Sequence, residues 1–119
     1  MADDRDREAQ SRAYLESLTD LEEAYRELQA ELAEGVATIA SIREHLDRGG
    51  RIAELLETGT VQAVRRSIGA GLREVERARH LRDRLLFRCL QAEGMTAAEM
   101  GRSFGVSRAL VSRLLNERD

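Results

Sequence analysis

Large apolar residues in the first third of the chain recur at alternating steps of four and three: Tyr14, Leu18, Leu21, Tyr25, Leu28, Leu32, Gly35, Ile39, Ile42 and Leu46. That spacing predicts one long helix with a heptad seam, with Leu18, Tyr25, Leu32, Ile39 and Leu46 at one core position and Tyr14, Leu21, Leu28, Gly35 and Ile42 at the other. At 1.5 Å per residue a helix of ~35 residues is ~50 Å long, more than so small a chain can cover with a globular core. The seam therefore calls for a partner helix. A monomeric bundle would supply one; self-association through Leu18, Leu21, Tyr25, Leu28, Leu32, Ile39, Ile42 and Leu46 is the expectation. Gly35 weakens a simple two-stranded zipper and allows a close helix crossing.

The pattern stops at Gly49-Gly50, a short apolar run "RIAELLE" follows, and "TGT" breaks the chain again, with Thr60 placed to cap a new helix. From Val61 to about Ala92 the period is again helical. Val61, Val64, Ile68, Val75, Leu86 and Cys89 fall on one side, while Arg66, Arg73, Arg77, His80, Arg84 and Arg88 form a basic stripe on the other. Gly69 and Gly71 threaten its continuity. The stripe suits either ion pairs with the acidic first helix or contacts to phosphate. Arg79 and Arg82 project toward the apolar side, where a cation needs a carboxylate or an anionic ligand. A carboxylate across a helix interface is the simpler partner, and a small anionic effector is the alternative.

Composition sharpens this picture. The 119 residues include no Pro and no Trp, few aromatics and 34% charged residues, which is the balance of an all-α chain. All nineteen basic residues are Arg, which reads as the codon usage of a GC-rich genome and gives a surface suited to bidentate contacts with phosphate or carboxylate. Residues 1–60 hold seven Arg against fifteen acidic residues, and residues 61–119 hold twelve against seven, so the two halves are expected to do different work. Cys89 stands alone, which excludes an intramolecular disulfide and multi-cysteine zinc sites and favours a reducing, intracellular setting. On its apolar face it is expected to be a small core residue. No apolar run is long enough to span a bilayer, so no membrane partner is expected.

Three short helices can be placed on the last segment. Leu81, Leu85, Leu86, Cys89 and Leu90 give the first a buried face that ends at Gly94. Thr96, with Glu99 three residues on, forms a capping box for the second, which is expected to bury Met100 and Phe104 and to stop at Gly105. Ser107 caps the third, whose Leu110, Val111 and Leu114 face inward.

The stretch "GVSRALVSRLLN", Gly105 to Asn116, is similar to the turn and recognition helix of LacI-type repressors, and Ala97 to Asn116 as a whole resembles the helix-turn-helix of bacterial transcription regulators. Related arrangements occur in resolvase-like domains and sigma-factor-like modules. Gly101 stands where the family requires a small residue at the helix crossing, and Gly105 where the turn favours a left-handed backbone. The resemblance implies that the third helix enters the major groove of double-stranded DNA, with Ser107, Arg108, Ala109, Ser112, Arg113 and Asn116 facing bases. Thr96, Arg102, Arg88 and Arg84 are then the expected phosphate contacts. Unlike the LacI type, the motif is C-terminal and no sugar-binding domain accompanies it, so that family's effectors do not carry over.

No phosphate loop, nucleophile motif or metal-ligand spacing surrounds His45 or His80, both expected to be solvated, and neither an enzyme, a cofactor nor a metal is expected. The expectation is thus an all-α chain: a long N-terminal coiled-coil helix (1–48), a linker with a short helical segment (49–60), a second long amphipathic helix (61–80), and a tri-helical helix-turn-helix domain (81–119). It would act as a homodimeric, cytoplasmic, nucleoid-associated transcription regulator. A helical adaptor or anti-sigma-like factor is the rival reading, and an architectural or recombinase-accessory role stays open.

Overall fold

A computed structural model describes residues 3–118, apart from the side chain of Ser67. It is all-helical, with no strand among the described residues. The helices are α1 (Asp4–Asp47), α2 (Ile52–Glu57), α3 (Thr60–Ala92), α4 (Ala97–Phe104) and α5 (Arg108–Asn116). The Asp3 carboxylate accepts the Asp6 amide at 2.9 Å and starts α1. At its other end Gly49 turns left-handed (φ 89°), and the amides of Gly49 and Gly50 donate to the carbonyls of Leu46 and His45. Those bonds satisfy carbonyls that the helix leaves open.

α3 runs without a break through Gly69 and Gly71, the two positions at which the sequence leaves its continuity open. A helical glycine costs about 1 kcal/mol relative to alanine, and at Gly71 the cost has a packing reason. A Cβ there would stand 2.2 Å from Glu31 Oε2 and 3.0 Å from Leu28 Cδ1. At Gly35 a Cβ would meet Ile68 Cδ1 at 3.4 Å. Leu28 thus lies by Gly71 and Gly35 by Ile68, so α1 and α3 run antiparallel here.

The chain forms two compact units, Glu22–Glu76 and Met1–Leu21 with Arg77–Asp119. This differs from the expected division in two respects. The first helix is not a separate arm, since its N-terminal part belongs to the same unit as α4 and α5. No break occurs at residue 80, because α3 is continuous there.

The seam of α1 also differs. The column Tyr14, Leu21, Leu28, Gly35 and Ile42 is buried or half-buried, but so is Ser17, Ala24, Glu31, Thr38 and His45, a column of mostly small or polar residues. These two columns repeat in the three-four rhythm of a packed helix pair. The other large residues lie beside them: Tyr25, Leu32, Ile39 and Leu46 remain 43%, 44%, 44% and 39% exposed. Of the residues assigned to self-association, Leu21 is buried and Leu28 and Ile42 are half-buried within the chain, Leu18 is half-buried, and the remaining four keep an outward surface. His45 is not simply solvated either: its Nε2 lies 3.1 Å from the Arg51 carbonyl.

Around α4 and α5 the core is Phe87, Met100, Val111 and Leu114, flanked by Leu90, Met95, Ala97, Val106, Leu110 and Leu115. Phe104, expected inside, is 47% exposed and lies edge-on to Phe87 with ring centroids 5.4 Å apart. Phe87 takes the interior place instead. Cys89 is buried; desolvation, and next the nearby Glu93 carboxylate, push its thiol above the ordinary range. That environment suits a core residue and disfavours a reactive thiolate. Among the described residues no helix is long and apolar enough to cross a membrane.

Candidate nucleic-acid interface

The unit of α4 and α5 is built from local rules. Thr96 caps α4 by accepting the Glu99 amide at 3.2 Å, and the Glu99 carboxylate returns to the Thr96 amide at 3.3 Å. Gly105 ends α4 in the left-handed region (φ 68°, ψ 32°), where a Cβ would be strained. Its amide and that of Val106 both donate to the Gly101 carbonyl. Ser107 then starts α5, its hydroxyl accepting the Leu110 amide at 3.0 Å.

Gly101 sets how closely α4 meets this turn. A Cβ at that position would stand 2.8 Å from the Val106 carbonyl oxygen and 3.4 Å from the Arg108 nitrogen. Both neighbours are backbone, so they cannot swing aside. Val111 and Leu114 turn inward from α5, and this leaves Ser107, Arg108, Ala109, Arg113 and Asn116 exposed and Ser112 half-buried. At 100° per residue the five within α5, Arg108, Ala109, Ser112, Arg113 and Asn116, occupy an arc of roughly 140° on one side of the helix, and Ser107 stands at its N-cap. The face has two guanidinium groups, an amide, hydroxyls and a methyl, all groups able to meet base edges.

The residues expected at phosphate separate into different environments. Arg102, in the last turn of α4, is exposed. The Thr96 hydroxyl is already engaged, accepting from the Glu99 amide and donating to the Glu99 carboxylate at 3.0 Å, and that carboxylate would repel a phosphate. Arg84 is buried at 6% exposure, with Nη1 donating to the Arg118 carbonyl at 3.3 Å and 3.9 Å from Glu117 Oε1. Arg88 is half-buried and donates to the Glu117 carbonyl. Both are turned to the chain's own tail, which corrects the expectation that they face DNA.

His80 joins them, its Nε2 lying 2.8 Å and 3.0 Å from the two Glu117 carboxylate oxygens. The C-terminal part of the basic stripe is therefore a clamp on the residues just after α5, and His80 is not simply solvated. The hydrogen bond to His80 is the main cause that holds the Glu117 carboxyl below its ordinary range, with the charges of His80, Arg84 and Arg113 acting in the same direction. A carboxyl lowered by folding contributes stability above its unfolded value and loses it as pH falls through the folded one. The His80–Glu117 contact should thus hold at neutral pH and weaken in acid. In an NMR titration, Glu117 should protonate at a pH below the ~4.3 of a free glutamate, and His80→Ala should move the midpoint back toward that value. No signal local to either segment reveals the clamp, because His80 and Glu117 lie 37 positions apart.

The expected anionic-effector residues stand in different settings. Arg79 is exposed, and Arg82 binds the adjacent Asp83 at 2.7 Å and 2.9 Å. An open cleft of about 500 Å³ lies instead along Ala13, Glu16, Ser17, Asp20, Arg77, His80, Leu81, Arg84 and Leu85. Further along the stripe, Arg66 and Arg73 are exposed. Among the described residues no three His, Cys, Asp or Glu side chains group as a metal site. No family model, no curated protein and no solved structure matches the chain.

Proposed function

We propose that the chain is a sequence-specific DNA-binding transcription regulator that acts as a homodimer, with α4 and α5 as its helix-turn-helix and α5 as the recognition helix in the major groove. The observation that carries this reading is the pairing of a tight, glycine-built crossing at Gly101 and Gly105 with an outward face of Arg108, Ala109, Arg113 and Asn116. The core of Met100, Val111 and Leu114 holds that face in place. Arg108, at the start of α5, and Arg113, one turn on, are the residues for base contact; Arg102 is the phosphate contact that the geometry leaves available. Two units per dimer would raise affinity by making the second contact intramolecular. Function at the nucleoid of a bacterial cytoplasm follows from this reading.

Selection of bound duplexes from a randomised pool tests it. The wild type should enrich a two-fold symmetric site, and Arg108→Ala or Arg113→Ala should each cost ~1–3 kcal/mol at that site and relax preference at one position of each half. Arg102→Gln should weaken all sequences alike and reduce the salt slope by about 0.9. Retained folding with no enriched sequence for the wild type would defeat the proposal. The second reading, a helical adaptor, draws on the outward apolar column of α1, and predicts a protein partner whose binding is indifferent to Arg108 and Arg113.

A further inference from the structure

The outward column of α1 has an order that suits one occupant. Tyr25, Leu32 and Ile39 are spaced by sevens and Val36, 69% exposed, lies beside them. Their neighbours along the same flank are Glu22, Gln29 and Arg43, all exposed. On α3 Leu72 is also exposed, and it follows Gly71, which abuts Leu28. In an antiparallel helix pair its position on the wheel lies on the same flank as the α1 column. The surface is thus an apolar band on two helices, bounded by an acidic residue at one end and a basic one at the other.

We infer that this band is the contact between two copies of the chain, with their α1 helices antiparallel about a two-fold axis at Leu32. This rests on the homodimeric reading above and adds the face and the direction. A two-fold axis at Leu32 puts Leu32 against its own copy and Tyr25 against Ile39 of the other chain. The same axis brings Gln29 to within one residue's rise, ~1.5 Å, of the level of Val36, and Glu22 likewise of Arg43. Tyr25, Leu32 and Ile39 then each meet an apolar side chain, and the two charges form opposite-sign pairs. A parallel arrangement would set Glu22 on Glu22 and Arg43 on Arg43, which is repulsive. Isologous contact of this type closes at two copies. Glu22 already pairs with Arg26 of its own helix at 2.9 Å, so it would sit between two guanidinium groups.

Light scattering on the purified chain without DNA should give twice the chain mass of 13.4 kDa, and Leu32→Glu should return it to the single-chain value with helix content retained. Direction is read by cysteine cross-linking. Glu22→Cys and Arg43→Cys should each fail to cross-link alone, whereas the double variant should form a covalent dimer under mild oxidation; buried Cys89 stays silent. A monomeric wild type overturns the inference, as does cross-linking of either single variant to the extent of the double. Neither result depends on α5, so the DNA-selection experiment can succeed or fail independently of this one.

Discussion

Gly101→Val should destabilise the α4–α5 unit by about 1–3 kcal/mol, the range for forcing extra methyl groups into a packed site. The first added carbon alone would stand 2.8 Å from the Val106 carbonyl oxygen. Relief would require moving the turn, and the turn is held by the amides of Gly105 and Val106 on the Gly101 carbonyl. The same residue type elsewhere provides the control. At Gly35 a Cβ would meet only Ile68 Cδ1, at an ordinary 3.4 Å, so Gly35→Ala should stabilise by up to about 1 kcal/mol through helix propensity. Urea unfolding followed by circular dichroism should therefore move in opposite directions for the two variants. Equal and small shifts would show that Gly101 is not a point of close approach.

Met100→Ala should have the larger effect, a loss of ~2–5 kcal/mol. Met100 is fully buried and meets Phe87, Val111 and Leu114 at the centre of the unit. Removing its side chain leaves a cavity that two short, capped helices packed on the end of α3 cannot close without shifting α5. Since whole-domain stability is typically only about 5–15 kcal/mol, the variant should show early loss of α4–α5 amide protection in hydrogen exchange. Phe104→Ala, at a half-exposed ring, should cost clearly less. An effect of Phe104→Ala as large as that of Met100→Ala would contradict the observed core.

The C-terminal unit was largely legible in the sequence because its signals are local. Thr96 and Glu99, Gly105, and Ser107 announce their caps and turn within a few positions, and each is found in that role. Phe104 lies outward where the helical period predicts burial, because the period alone does not say where a helix ends relative to its neighbour. Phe104 is the last residue of α4, and the core lies nearer the middle of that helix, at Met100. Arg84 and Arg88 depart from the expected phosphate role for a related reason. An arginine stripe looks the same whether it faces phosphate or a backbone carbonyl, and the carbonyls of Glu117 and Arg118 lie 29 and 34 positions away. On α1 the large apolar residues drew attention away from Ser17, Ala24 and Thr38, whose small size is what allows that side to be covered. Tyr25, Leu32, Ile39 and Leu46 stay outward, so the part of the heptad seam covered within the chain is narrower than the spacing of large residues alone predicts.

Gly35 on α1 and Gly71 on α3 also bear on how far α3 can slide along α1. A heptad repeat by itself permits pairing at several offsets, seven residues apart, with nearly the same apolar matching. Here a slip of one heptad would bring Val64 or Ala78 to the place of Gly71, where a Cβ meets Glu31 and Leu28 at 2.2 Å and 3.0 Å. At Gly35 the same slip would replace the fitted Ile68 side chain by the shorter Val61 or Val75 and leave a void. Each alternative offset thus makes the ends of the Glu31 and Leu28 side chains move at one notch and opens a void at the other. The two glycines work as a vernier, selecting one alignment from a series that the repeat would otherwise leave nearly degenerate.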